Sequence, residues 1–170
     1  MVEGLILETQ RLILRRFVAG DAVALAAVLG DSVAMEFYPA ALDRKGVENW
    51  IEKNIGRYRR DGHGLWAMLL KDVNLLIGDC GCTLQEVEGQ HEVEVGYHVR
   101  RDLWGHGYAT EAARASMEYG FTLLGARRVI SMIRPENLRS RRVAEKNGMM
   151  SEKIIRWRDY DHCIYAKAKV

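Results

Sequence analysis

The chain has few of the residues that mark several specialised protein classes. Its 170 residues include only two prolines and three cysteines. Three cysteines leave one without a partner, and Cys80 and Cys82 are separated by a single residue, so the sequence indicates neither a disulfide framework nor a four-cysteine zinc site. The histidines have no ligand-like spacing either. We therefore expect reduced cysteines that serve packing, and no bound metal.

Long apolar runs and a strong excess of one charge are also missing. No window approaches the roughly 18 uninterrupted apolar residues of a membrane-spanning helix, and the first five residues lack the basic start and apolar core of a signal peptide. A net charge of +2 is too small to indicate nucleic-acid binding by itself. These absences predict a cytoplasmic protein that binds neither membrane nor nucleic acid.

The remaining composition is that of an ordinary globular protein. The chain is 48% hydrophobic, and its length is sufficient for a core that is stable without disulfides or metal. It contains no internal repeat, no low-complexity segment and no linker. We expect a single domain over residues 1–170.

Hydrophobic periodicity predicts an α/β fold. The predicted strands cover residues 11–17, 65–70, 75–84, 92–99 and 127–133, with two more within 149–167. The predicted helices cover residues 22–29 and 45–59, a long segment between Gly107 and Gly125, and residues 137–147. The resulting order, β-α-α-β-β-β-α-β-α-β-β, favours a mixed, mostly antiparallel sheet flanked by helices.

A glycine turn links a predicted strand to a predicted helix within residues 97–112. The first N–H groups of a helix are unpaired and carry the positive end of its dipole, so a phosphate can bind there on backbone donors. Gly105 and Gly107 permit the dihedrals and close approach that such a turn needs. Residues 100–158 hold 13 Lys or Arg against 6 Asp or Glu, which suits a ligand with several phosphates.

The same segment resembles a known motif. Residues 104–112, Trp-Gly-His-Gly-Tyr-Ala-Thr-Glu-Ala, are similar to the acetyl-CoA motif Q/R-x-x-G-x-G/A of the GNAT superfamily, with Gly107 and Ala109 on its two small positions. Trp104 stands where Gln or Arg is usual, as in the branch that contains the RimJ and RimL ribosomal-protein acetyltransferases. Residues 7–15 and 137–149 also resemble that branch, so the likeness spans nearly the whole chain.

This resemblance implies a fold and an activity. It implies a sheet splayed between its fourth and fifth predicted strands, where acetyl-CoA binds as cosubstrate. It also implies transfer of the acetyl group to a primary amine, either a protein N-terminus or a small molecule, by direct attack in a ternary complex. The sequence leaves open whether the protein forms a homodimer. The implied cofactor-binding residues are Tyr97, His98, Val99, Trp104, Gly105, His106, Gly107, Tyr108, Ala109, Thr110, Asn137, Ser140 and Arg142.

Glu94 is the favoured general base. It matches the Glu of the Glu-x-Gly-Tyr pattern of the resembling branch, and a carboxylate there could take a proton from the amine directly or through water. Glu94 could instead be an ordinary exposed carboxylate at a sheet edge. Glu92 lies on the same face, and the sequence cannot rank the two residues. His98 is the second choice, beside the expected pantetheine strand. The backbone N–H near Tyr97 is the expected donor to the oxyanion, and Val99 the expected partner of the pantetheine amides.

Ser140 is the candidate for hydrogen bonding or protonating the CoA sulfur. The family often has a tyrosine at the eighth position of the segment that starts at Asn137, and this chain has Ala144 there. A phenol from that position is therefore excluded. Asn137 can also serve as a helix N-cap, and Ser140 as an ordinary first-turn residue.

Two rival functions stay open at this level. A non-catalytic acyl-CoA-binding or sensing module would keep the glycine turn and lack acid and base, as Trp104 and Ala144 allow. A dinucleotide-binding protein is the weaker rival, because the chain lacks the complete Gly-x-Gly-x-x-Gly pattern and its later acidic residue.

Overall fold

The computed structural model describes residues 3–170 and contains one continuous sheet with helices on both faces. The strands are β1 (Leu5–Glu8), β2 (Leu12–Arg15), β3 (Leu65–Leu70), β4 (Leu75–Val87), β5 (Gln90–Val99), β6 (Arg128–Ile133), β7 (Met150–Trp157) and β8 (Tyr160–Ala168). The helices are α1 (Ala22–Leu29), α2 (Arg44–Arg60), α3 (Tyr108–Thr122) and α4 (Leu138–Lys146), with short 3₁₀ turns at Ala19–Asp21 and Arg101–Leu103.

The sheet is antiparallel except at one junction. Its strand order is β1-β2-β3-β4-β5-β6-β8-β7, and only β5 and β6 run parallel. These two strands pair at just two positions, Val93 with Val129 and Glu94 with Ile130, and then diverge. The predicted splay is therefore present, and it begins immediately after Glu94.

Each face of the sheet packs against its own pair of helices. On one face, α1 and α2 bury Leu25, Val28 and Ile51 against strand residues of the first half of the sheet. On the other face, α3 and α4 contribute Met117 and Ala144 to a larger core. Because both helix pairs pack on the sheet near the splay, side chains from α4 and from the α1–α2 connection can meet there.

The predicted element order needs one correction. It omits β1, a four-residue edge strand that pairs antiparallel with β2 through Leu7 and Leu14. An apolar run as short as Leu5 to Leu7 shows no clear period, and it becomes a strand only because β2 supplies its hydrogen-bonding partner. The predicted helices and the other strands occur at nearly the expected bounds.

Candidate active site

Two cavities meet where the sheet splays. The turn-side cavity, about 320 Å³, lies against the glycine turn and α4, and the sheet-side cavity, about 310 Å³, lies against α2, β5 and the β7–β8 turn. Their shared lining residues are Phe37, Tyr38, Tyr97, His98, Asn137 and Ser140. A ligand in one cavity can therefore reach a ligand in the other at this junction.

The glycine turn forms one wall of the turn-side cavity. Gly105 and Gly107 have φ angles of 81° and 83°, a region that residues with a side chain rarely adopt. Gly107 is the N-cap of α3, so the unpaired N–H groups of Tyr108, Ala109 and Thr110 start at the cavity wall. The turn has the geometry that the sequence predicts for an anion site.

A hydrogen-bonded clamp holds this turn against the start of the chain. In the first turn of α3, Glu111 accepts hydrogen bonds from the Thr9 hydroxyl (2.6 Å), the Arg11 backbone N–H (2.8 Å) and the Arg11 Nε (2.7 Å). Arg11 also donates to the His106 carbonyl at 2.9 Å. Sequence reasoning missed this contact, although it joins two segments that carry the family resemblance, residues 7–15 and 104–112.

Trp104 has a structural role at its unusual position. Its indole N–H donates to the Val99 carbonyl at 2.8 Å, and the guanidinium of Arg139 stacks 4.2 Å above its ring. The indole therefore fixes the end of β5 to the glycine turn. A tryptophan in the place of Gln or Arg is compatible with an intact site.

Of the thirteen predicted cofactor-binding residues, His106 alone does not line the turn-side cavity. Its ring is exposed, and its Nδ1 lies 3.1 Å from the Leu103 and Trp104 carbonyl oxygens, which braces the turn from outside. Arg142 lines the cavity, as do two cations that the prediction omitted, Arg139 and Lys146.

Three other arginines of the basic region are engaged elsewhere. Arg100 pairs with Asp102, Arg101 with Asp31, and Arg141 donates to the Tyr165 hydroxyl. None of the three lines either cavity. The three cations that line the turn-side cavity all come from α4, and Arg139 among them also pairs with Glu36.

The outer edge of β5 is open to the splay. Even-numbered residues of β5 bond to β4, as the bond from Arg100 N–H to the Ile77 carbonyl shows. Odd-numbered residues direct their backbone groups to the other edge, where the Ser131 hydroxyl donates to the Val95 carbonyl at 2.7 Å. The N–H of Tyr97 points to this same edge, in the position expected of the oxyanion donor.

Glu94 lies in the wall of the sheet-side cavity, and Glu92 does not. Burial raises the pKa of the Glu94 carboxyl, although hydrogen bonds to Gln85 and Thr83 and the charge of Arg57 oppose the shift. Glu92 instead pairs with Arg128 at 3.3 Å. The structure thus separates two carboxylates that the sequence could not rank.

Asn137 and Ser140 lie at the junction at the start of α4. The side chain of Asn137 accepts the Ser140 backbone N–H at 3.1 Å, which makes it the N-cap that its sequence position predicts. The Ser140 carbonyl accepts the Tyr97 hydroxyl at 2.8 Å. Both residues line both cavities, so they can contact a cofactor and an acceptor together.

A buried chain of polar groups also reaches the junction. Asp79, fully buried on β4, lies 2.7 Å from His98 Nδ1 and accepts the Trp50 indole N–H at 2.8 Å. His98 Nε2 lies 2.6 Å from the hydroxyl of Tyr38. Sequence reasoning considered His98 alone. The available signal was Asp79 itself, a single carboxylate within the otherwise uncharged run of residues 75–84.

Residues 3–170 show no group of three or more His, Cys, Asp or Glu placed to hold a metal ion. All three cysteines are free and buried, and burial raises the pKa of Cys80 to about 12. No helix in the described part of the chain is long and apolar enough to cross a membrane.

Residues 11–150 match the family model of the acetyltransferase (GNAT) domain. The chain belongs to the GNAT family of acetyltransferases. This GNAT protein is 36% identical over 151 residues to YkkB of Bacillus subtilis, an uncharacterised protein, with 88% of each chain covered.

Solved structures show the same fold. A GNAT acetyltransferase from Bacillus anthracis superposes with a TM-score of 0.81 at 29% identity, covering 95% of this chain and 96% of that one. RimL, a ribosomal L7/L12 alpha-N-protein acetyltransferase solved with coenzyme A, gives a TM-score of 0.77 at 17% identity, covering 96% and 97%. The likeness to RimL concerns the fold alone. The GNAT protein described here is an acetyl-CoA-dependent acetyltransferase, as the resemblance implies.

Proposed function

We propose that this enzyme is an N-acetyltransferase that moves the acetyl group of acetyl-CoA to a primary amine by direct attack in a ternary complex. The observation that carries the proposal is the meeting of two cavities at Tyr97 and Ser140. One cavity has a helix start and cations for the phosphates of CoA, and the other has a carboxylate suited to an amine. Both substrates can be bound at once, as direct attack requires.

The groups at the junction suit the three needs of amide formation. Glu94, with its raised pKa, takes a proton from the ammonium form of the acceptor. The N–H of Tyr97, on the open edge of β5, supports the developing oxyanion. Ser140 lies beside both cavities, where its hydroxyl can hydrogen bond to the sulfur.

The cysteines give no support to an acyl-enzyme. Within residues 3–170 none of them lines either cavity. Burial keeps Cys80 as the thiol, with a pKa of about 12, so it is a poor nucleophile at neutral pH. Three free thiols also suit a reducing compartment, which supports the proposed cytoplasmic location.

The test is turnover with a panel of primary amines, including small amines and short peptides with free N-termini. We expect release of free CoA thiol together with an amine product heavier by one acetyl group, detected by mass spectrometry. Initial rates against both substrates should give intersecting lines, and not the parallel lines of an acyl-enzyme. If acetyl-CoA binds by calorimetry and no amine is acetylated, the chain is the non-catalytic acyl-CoA module and this proposal is wrong.

A further inference from the structure

The lining of the sheet-side cavity is strongly cationic. It contains Lys53, Arg57, Arg134 and Arg158, and its only carboxylate is Glu94. Arg134 lies 3.6 Å from the Glu136 carboxylate, which offsets its charge. For residues 3–170, the other three cations have no carboxylate within ion-pair distance. Arg57 is half-buried and Lys53 and Arg158 are exposed, so an anion that enters the cavity from solvent can reach all three.

The three cations come from opposite sides of the cavity and affect one another. Lys53 and Arg57 are one turn apart on α2, and Arg158 lies in the β7–β8 turn. Partial desolvation lowers the pKa of Lys53, although the residue is exposed, and the charges of Arg57 and Arg158 lower it further. Placing like charges together costs free energy that a bound anion would recover.

Aromatic rings occupy much of the remaining wall. Trp50, Trp157 and Tyr160 line the cavity. The guanidinium of Arg158 lies 4.3 Å above the Trp157 ring, which orients it beside an apolar surface. Together these groups suit a ligand that has an anionic group next to an apolar or flat one.

We propose that the acceptor is a primary amine that also carries an anionic group, with the amine at Glu94 and the anion at Lys53, Arg57 and Arg158. This inference rests on the proposed N-acetyltransferase function and names the class of its acceptor. A carboxylate is the shared chemistry of two sources, a free amino acid and the N-terminus of an acidic peptide.

The experiment compares matched acceptors that differ only in charge. A free amino acid is compared with its C-terminal amide, and a dipeptide with aspartate as its second residue with the asparagine analogue. We expect kcat/KM to favour the anionic member of one pair by about tenfold or more, because charged hydrogen bonds to Lys and Arg are the strong ones. A preference within the amino-acid pair identifies a free amino acid as the acceptor, and a preference within the dipeptide pair identifies the N-terminus of an acidic peptide.

Lys53→Gln is the decisive variant. The Lys53 side chain forms no hydrogen bond within residues 3–170 and is exposed, so its replacement should leave the fold intact. The ratio of kcat/KM for the anionic and neutral acceptors should fall toward one. Arg59→Gln, on the same helix but outside both cavities, removes the same charge and should keep the preference.

The outcomes separate this inference from the proposed function. Equal or better turnover of the neutral acceptors overturns the anionic class and leaves the N-acetyltransferase standing. If no amine is turned over, calorimetric binding of each pair to the CoA-loaded protein decides, and equal binding of both members overturns the inference. An unchanged preference in Lys53→Gln also overturns it.

A second inference rests on the chain Asp79–His98–Tyr38, which the proposed roles of Glu94 and Ser140 do not use. The buried Asp79 carboxylate, also held by the Trp50 N–H, lies 2.7 Å from His98 Nδ1, where it can accept the Nδ1–H of the neutral ring. In that tautomer Nε2 accepts the Tyr38 hydroxyl, which lies 2.6 Å away. Tyr38 lines both cavities, so its oxygen can reach the reacting atoms.

We infer that Tyr38 is a catalytic residue that carries a proton from nitrogen to sulfur, with His98 and Asp79 as positioning residues. Glu94 takes the first proton of the ammonium group and releases it to solvent. As the C–N bond forms, the second proton passes to the Tyr38 oxygen while the Tyr38 proton moves to His98 Nε2. As the C–S bond breaks, Tyr38 gives the proton it received to the thiolate sulfur while His98 Nε2 returns its proton to the Tyr38 oxygen.

This arrangement supplies the phenol that α4 lacks at Ala144. The test is a cycle of Tyr38→Phe, His98→Gln and the double variant. We expect each single variant to lower kcat by about 100-fold, with acetyl-CoA affinity and the acceptor KM changed less than about threefold. The double variant should be no slower than the singles, because groups that act as a unit are not additive.

Tyr119→Phe, on α3 outside both cavities, is the matched control and should keep full kcat. Losses in kcat that multiply in the double variant would show that Tyr38 and His98 act independently and would overturn the proposed proton transfer between them. If His98→Gln does not fold, Tyr38→Phe decides alone, since it removes one hydroxyl from a partly exposed ring. Full kcat in that variant overturns the inference.

Discussion

Glu94 shows how the position of one residue sets both a reactivity and a cost. Its carboxylate lies in the wall of the sheet-side cavity and is half-buried, so it is partly removed from solvent. The Thr83 hydroxyl, 3.2 Å away, compensates only in part. Burial therefore raises the pKa of the carboxyl, which makes it a better proton acceptor and also destabilises the folded state whenever it is ionised.

Glu94→Gln should remove the proton acceptor and keep the shape of the site. We expect kcat to fall by about 100-fold, the usual scale of lost general-base assistance, with acetyl-CoA affinity little changed. In the wild type kcat/KM should decrease as the pH falls through the raised pKa of Glu94, and the variant should lack this limb. Glu92→Gln, whose side chain pairs with Arg128 outside the cavities, is the control. Full activity of Glu94→Gln would exclude Glu94 as the base.

The same substitution should stabilise the fold at neutral pH. Because the folded-state pKa is raised above the unfolded value of about 4.3, the folded protein binds more protons than the unfolded chain between the two values, and its stability falls as pH rises. Glutamine carries no charge at any pH. Thermal unfolding of Glu94→Gln should therefore show a higher Tm than wild type at pH 7 and a similar Tm near pH 4. A lower Tm at pH 7 would contradict the assigned burial cost.

What the sequence revealed residue by residue depended on local signals. Gly107 and Asn137 were predictable, because turn conformation and N-capping are decided by near neighbours. The ranking of Glu94 over Glu92 was not, since it depends on Arg128 from another strand. The contact of His98 with Tyr38 joins residues 60 positions apart and has no local signature.

At the scale of elements, the anion site that we propose is one unit, made of the glycine turn and the start of α3. Gly107 is the N-cap, and Arg11 and Glu111 hold the turn in place. A Cβ added at Gly107 would meet only the Arg11 Nη2, at 3.5 Å, which is an ordinary contact. Glycine is therefore favoured there by its positive φ and, in our proposal, by close approach of the cofactor, and not by a clash within the protein.

Gly107→Ala should weaken acetyl-CoA binding by straining this turn. We expect a stability loss of about 1 kcal/mol from the left-handed conformation, and a clear rise in the acetyl-CoA Kd by calorimetry. Gly125→Ala is the matched control at the other end of α3. Gly125 also has a positive φ, 67°, and open space around its Cβ position, so it should lose similar stability and keep its affinity. Equal affinity losses in both variants would refute a specific role of the Gly107 turn.

The predictability of elements followed the length of their patterns. The helices α2 and α3 bury one face over several turns, so the hydrophobic periodicity of the sequence was sufficient to predict both helices. The strand β1 has four residues at a sheet edge, and nothing in them specifies pairing with β2. Tertiary context decided that element.

At the scale of the whole molecule, the splay divides the sheet into two halves. Strands β1 to β5 form one half and β6 to β8 the other, with pairing between them at Val93 and Glu94 and the bond from Ser131 to Val95. A cofactor bound along β5 would therefore pair with the backbone groups of this strand that lie beyond its contacts with β6. Binding of CoA should raise the free energy of unfolding by mass action. The protection against local opening should be greatest at this edge of β5.

Amide hydrogen exchange along β5 tests this placement residue by residue. The two-residue turn at Glu88 and Gly89 sets a register in which the even-numbered amides bond to β4, while the odd-numbered amides face the splay. Saturation with CoA should slow exchange at Tyr97 and Val99 by about tenfold or more, the scale of one added hydrogen bond. Gly96 and His98 are internal controls on the same strand, since β4 already protects their amides. Unchanged exchange at Tyr97 and Val99 in a protein that binds CoA by calorimetry would place the pantetheine arm elsewhere, and the open edge of β5 would then have no part in cofactor binding.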